Sequence, residues 1–267
     1  MKLKNPLRIN LSRLNRQFAA IGLISTLAAW LGVQNQKWVI LTLPLVAVMT
    51  WYVLSRTIAT RKKSLWLLKT IRPLIMSYGL LLLVTSGTLT FVQPTIITLL
   101  MAAGFGVVMI LFTRYEMRTE PSQRLNSIFS LLAIFLITNA SAQMQAVWNV
   151  PVWLVLIVAW LLYYVIANFW LYGLIDKPES LALIWSLMAI EINLILSTWI
   201  LFYSVPHLTV IVAQSALIVT VLAYSIGGIY YHNRKHTLSR SLIFEYLAVS
   251  LVVFSILLVL TKWFNTV

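Results

Sequence analysis

The sequence predicts an all-α integral membrane protein: a bundle of about nine transmembrane helices arranged as successive hairpins, amino terminus inside and carboxy terminus outside. Three observations predict it. Hydrophobic residues make up 61% of the 267 and charged residues only 10%, against roughly 45–50% and about 25% in soluble domains. The apolar residues fall in runs close to the ~20 that a helix needs to cross a hydrocarbon core of about 30 Å. The basic residues gather between alternate runs, as cytoplasmic loops do.

Residues 1–17 carry Lys2, Lys4, Arg8, Arg13 and Arg16 ahead of the first apolar run. A signal peptide has this outline, but no small-x-small cleavage site follows and the run leads into another span, so the segment reads as a retained signal anchor. Within it Leu11, Leu14 and Phe18 recur at helical spacing while Arg13 and Arg16 lie elsewhere, which predicts a short amphipathic helix on the cytoplasmic leaflet. Leu65, Leu68 and Ile71, beside Lys62, Lys63 and Lys69, predict a second one.

The single polytopic domain covers residues 18–261. Its spans are expected at Phe18–Val33, Trp38–Leu54, Pro73–Val92, Pro94–Thr113 and Asn126–Ala142, then at Val150–Gly173, Leu181–Tyr203, Thr209–Tyr230 and Leu242–Thr261. A short extracytoplasmic tail, residues 262–267, ends the chain. With the amino terminus inside, every Lys and Arg except Lys37 and Lys262 lies on the cytoplasmic side, and removing any one span would put basic loops on both sides. Tryptophan agrees: Trp30, Trp38, Trp148 and Trp153 fall near the outer boundary and Trp51, Trp66, Trp170 and Trp185 near the inner one, where its amphipathic ring is favoured.

Odd-numbered spans start at a spacing of roughly 55 residues, the kind of period sought in repeat proteins. Ile128–Ile134 (IFSLLAI) matches Ile184–Ile190 (IWSLMAI), with a weaker copy at Ile243–Val249 (IFEYLAV). These starts share one orientation and are candidates for parallel repeats of a helical hairpin.

Of the six acids, Glu116, Glu120, Asp176 and Glu179 lie in basic cytoplasmic loops. Glu191 lies about ten residues into its span, some 15 Å deep, near the bilayer midplane. A charge there costs at least about 2.5–3.5 kcal/mol against lipid, so Glu191 is expected to face protein or water. Thr198 shares nearly its face, and Ser186, Asn193 and Ser197 form a second polar stripe. Glu191, Asn193 and Thr198 are the candidate proton or cation site, and the bland reading makes Glu191 a neutral acid that donates an interhelical hydrogen bond. Glu245 is a secondary polar candidate one turn inside the last span, near a helix amino terminus that favours negative charge.

The net charge of +14 points to the anionic headgroups of a bilayer rather than to nucleic acid, because the basic residues sit between spans. Arg13, Arg16, Lys62, Lys63, Arg234 and Lys235 are the expected lipid contacts. His232 and His236 have a metal-ligand spacing, but Arg234 and Lys235 between them oppose a cation. Cysteine is absent, which removes thiolate metal sites and thiol nucleophiles. No HExxH, GxSxG or Walker A motif occurs. No cofactor or metal is expected.

Two functions follow as expectations: a small transporter or permease-like protein for an ion or small solute, coupled through Glu191, or an accessory subunit whose membrane-protein partner supplies the activity. A lipid-modifying enzyme ranks third. The location expected is the cell membrane, as a multi-pass protein; short loops and the lack of cysteine fit a bacterial plasma membrane.

Overall fold

The computed structural model describes residues 11–34, 48, 95–116, 123–146, 149–171, 174–175, 178–198, 201–204 and 211–260. Apart from Val48, the second and third expected spans lie outside the described residues, as do Lys62, Lys63 and the amphipathic stretch beside them. The described elements are α1 (Leu11–Gln34), α2 (Thr95–Glu116), α3 (Gln123–Ala146), α4 (Val152–Leu171), α5 (Glu179–Ser197), β1 (Phe202–Ser204), β2 (Ile211–Ala213), α6 (Gln214–Arg234) and α7 (Arg240–Leu260). The five helices α3 to α7 are each long and apolar enough to cross a membrane. The chain divides into two compact units, the first holding α1 and α2 and the second α3 to α7 with the hairpin.

In the first unit α1 runs unbroken from Leu11 to Gln34. The stretch with Arg13 and Arg16, expected as a separate interfacial helix, is continuous with the apolar helix that follows. Small residues let α1 and α2 approach closely. A Cβ on Gly22 would meet the Ile110 side chain, and one on Gly106 would meet Thr26 Oγ1 and, at 2.7 Å, the Gly22 carbonyl oxygen. Thr26 Oγ1 meanwhile donates to that same carbonyl at 2.8 Å. Gly22 against Ile110 and Thr26 against Gly106 is the order of antiparallel helices. Phe18, Ile21, Phe105 and Met109 are buried along this seam.

In the second unit α3 packs on α4, α4 on α5, α5 on α6 and α6 on α3, closing a four-helix ring, and α7 packs on α6. Over half of α3 is buried, against 6% of α7. That burial explains why the expected fifth span stopped short at Ala142. The helix continues to Ala146, and the residues that end the apolar run, Gln143 and Gln145, are buried in it. Thr138 Oγ1 donates to the Ile134 carbonyl at 2.8 Å. It therefore accepts from the Tyr163 hydroxyl of α4 at 2.6 Å.

The expected seventh and eighth spans need a correction at their facing ends. α5 stops at Ser197 and α6 begins at Gln214, and between them β1 and β2 form an antiparallel pair, Phe202 opposite Ala213 and Tyr203 opposite Val212. The segments are aromatic and β-branched, the residue types that favour strands, and hydropathy alone does not separate them from helix. Pairing does not satisfy every backbone group of the hairpin. Asn139 Oδ1 accepts from the Ala213 N–H at 2.7 Å, and the Tyr203 hydroxyl donates to the Leu257 carbonyl of α7 at 3.2 Å.

Asn139→Ala leaves a buried backbone N–H unpaired and is expected to cost about 1–3 kcal/mol, read as a lower melting temperature in detergent. Gly106→Val overpacks the α1–α2 seam, for which about 1–3 kcal/mol is expected. Gly104→Val, two residues away with open space around it, is expected to melt like the wild type.

Candidate functional site

The structure separates the residues grouped around Glu191. At 100° per residue, positions 191 and 193 lie on opposite sides of α5. Asn193 and Ser186, seven residues apart, face inward at 3% and 0% exposure. Glu191 and Thr198, also seven apart, share the exposed face. Thr198 Oγ1 donates to the Ile195 carbonyl of its own helix at 2.7 Å. The neighbours of Glu191 one turn away, Leu187, Met188, Leu194 and Ile195, are all exposed. Within the second unit, then, the carboxylate expected to face protein or water lies at the centre of an apolar outer surface. The inward register of α5 is taken by Ser186 and Asn193. Glu245 is exposed as well.

What the fold does assemble is a cavity of about 730 Å³ at one end of the ring. Its walls come from the first turns of α3 (Ser127, Ser130, Leu131, Ile134), the last turns of α4 (Ile166, Ala167, Trp170) and Trp185 of α5. α6 contributes Ala223, Tyr224, Gly227 and Gly228, and α7 contributes Tyr246. His232, Lys235 and Thr237 form the rim at the α6–α7 turn. A smaller, apolar cavity of about 60 Å³ lies beside it and shares Ile134, Ala167, Trp185 and Ala223 with the first.

Specific contacts hold the aromatic walls. Trp170 and Trp185 meet edge to face with centroids 6.3 Å apart, and Trp170 Nε1 donates to Ser127 Oγ at 3.1 Å. Tyr224 and Tyr246 meet at 5.1 Å. The two glycines of α6 make room for these rings: a Cβ on Gly227 would lie 3.4 Å from the Trp170 ring, and one on Gly228 would collide with the Tyr246 ring. Ser225 and Ser250, 2.6 Å apart, join α6 to α7 beside Tyr246. Ser250 Oγ donates to the Tyr246 carbonyl at 3.0 Å.

The rim is built on a helix ending that glycine usually occupies. His236 has φ 55, in the left-handed region. Its N–H bonds the Asn233 carbonyl at 3.1 Å, and the Thr237 N–H bonds the His232 carbonyl at 2.9 Å, which is the paired bonding of a Schellman motif. His232 Nδ1 and Thr237 Oγ1 lie 2.9 Å apart, and Lys235 Nζ lies 5.6 Å from the Tyr231 ring centre. The two histidines considered for metal thus have other tasks, one in the turn and one on the rim. Among the described residues the cavity lining contains one lysine, one histidine and no carboxylate. Ser130 Oγ is buried on this wall with no hydrogen-bond partner among the described residues.

Of the expected lipid-contact residues, Lys235 belongs to this rim and Arg234 sits beside it, exposed, with Nε donating to the Tyr230 hydroxyl at 3.3 Å. Sequence reasoning missed the cavity itself. It read Trp170 and Trp185 as interfacial anchors. The usable signal was a coincidence: bulky rings near one end of three helices and paired glycines, Gly227 and Gly228, near the same end of a fourth.

Gly228→Ala is expected to push the Tyr246 ring off its seat against Tyr224, costing about 0.5–1.5 kcal/mol of aromatic packing and lowering the melting temperature. Gly104→Ala, in open space, serves as the control. No protein-family profile, no curated protein and no solved structure matches this chain.

Proposed function

We propose that the protein is a multi-pass cell-membrane protein of transporter or permease type, with nine spans and its basic loops in the cytoplasm, in which the cavity of the second unit receives a small solute. The observation that carries this reading is the cavity: about 730 Å³, within the 300–1,000 Å³ usual for small-molecule sites, with apolar and aromatic walls and a few polar groups. The positive-inside pattern supports an opening toward the cytoplasm, because the rim lies at the Arg234–Arg240 loop. Glu191 stands in this reading as the coupling carboxylate, acting through α5, which also carries Trp185 into the wall.

The exposed position of Glu191 among Leu187, Met188, Leu194 and Ile195 favours a second reading, an accessory subunit. A carboxylate on a lipid-facing surface costs about 2.5–3.5 kcal/mol or more, and a polar group of a membrane partner facing it would remove that cost.

The native chain has no cysteine, so Ala223→Cys places a single thiol in the cavity. In proteoliposomes, an impermeant maleimide is expected to label it from the Lys235 side and, as the site alternates, from the opposite side too. Glu191→Gln is expected to abolish the second labelling and spare the first. Labelling confined to one side would overturn the transport reading. A partner that co-purifies in mild detergent, and whose activity survives Glu191→Gln, would establish the subunit role.

A further inference from the structure

We infer that the cavity binds a single-chain anionic amphiphile, its phosphate or carboxylate head at Lys235 and His232 and its apolar chain between Trp170 and Trp185 into the smaller cavity. The inference rests on the reading of this cavity as the solute site and names the class of ligand.

Two features select the class. The first is charge. Lys235 and His232 stand on the rim, and among the described residues no carboxylate offsets them anywhere in the lining. Aromatic rings can hold an organic cation, but Lys235 already occupies the Tyr231 face at 5.6 Å, and its charge repels a second cation. The second is shape. The two cavities share four lining residues, and the smaller one lies between apolar side chains that include Ile192 and Leu222. That gives apolar walls behind a polar rim. A bare hydrated anion would forfeit its water there without replacement hydrogen bonds, whereas an alkyl chain gains by apolar burial.

The test uses the full chain in nanodiscs of zwitterionic phosphatidylcholine. A bromoalkyl phosphate is titrated while tryptophan fluorescence is read, since bromine quenches indoles on contact. A bromoalkyl trimethylammonium of equal chain length and inorganic phosphate are titrated in parallel. Saturable quenching by the alkyl phosphate is expected, and the saturable part is expected to vanish in Trp170→Phe/Trp185→Phe. Lys235→Ala, on an exposed side chain, is expected to weaken binding about tenfold, the size of a lost charged contact. Ala223→Phe, which puts a ring where the two cavities share a wall, is expected to abolish it.

Equal binding of the ammonium compound, competition by inorganic phosphate alone at the same concentration, or an unchanged affinity in Lys235→Ala would overturn the inference. Binding is measured at equilibrium and needs no flux. Saturable alkyl-phosphate quenching with one-sided labelling of Ala223→Cys therefore sinks transport alone, and two-sided labelling without such quenching sinks the ligand class alone.

Discussion

The second unit depends on one constraint: polar side chains in a helix surrounded by apolar matter must find partners inside the protein. α3 carries the densest set of them. Thr138 pairs with Tyr163 of α4, Asn139 with the backbone of Ala213 ahead of α6, and Ser127 with Trp170. These bonds draw α4 and the start of α6 onto adjoining faces of α3. Through them α3 fixes its register against α4 and against the residues ahead of α6. α7, with fewer polar ties, is mostly exposed and fastened by Ser225–Ser250 and by Tyr203.

The cavity follows from the same arrangement at the other end of the ring. Bulky rings at the ends of α4, α5 and α7 hold the helices apart, while Gly227 and Gly228 let α6 accept those rings without moving away. The result is an open volume framed by aromatic edges. The last turn of α6 and the residues after it then place His232 and Lys235 over the opening, with His236 in the left-handed conformation closing the turn. A non-glycine residue in that conformation costs about 1–2 kcal/mol, a cost more easily borne when the turn has something to position.

The helical membrane class was legible from composition and run length, and five apolar helices of membrane-crossing length stand where spans were expected. Apolar run length reports lipid-facing residues well and protein-facing residues poorly. It therefore truncated α3, whose last turn is polar and buried, and carried the spans before and after the hairpin into residues 202–203 and 211–213, which are strand. On α5, Ser186 and Asn193 are buried while Glu191 and Thr198 are exposed. Which pair faces inward is decided by the neighbours on α4 and α6, and no single-helix pattern contains that. Glu191 drew attention as the lone deep acid, while Ser186 and Asn193, less conspicuous by type, took the interior. The cavity was invisible for a related reason: its parts lie on five helices and share no sequence neighbourhood.

The polarity of α3 also bears on how the protein enters a membrane. Buried Asn126, Ser130, Thr138, Asn139, Ser141, Gln143 and Gln145 make it a poor candidate for partitioning into lipid alone, since the partners of Thr138 and Asn139 on other elements would not yet be in place. α4, the more apolar of the pair, follows after only five intervening residues and brings the Tyr163 hydroxyl. The two helices are thus suited to leave the insertion machinery together as a closed hairpin. α6, which supplies the Ala213 amide, would have to be in place before the Asn139 side chain is satisfied. In this chain the order of synthesis and the order of polar satisfaction do not coincide, and α3 spends the interval as the element most in need of shelter.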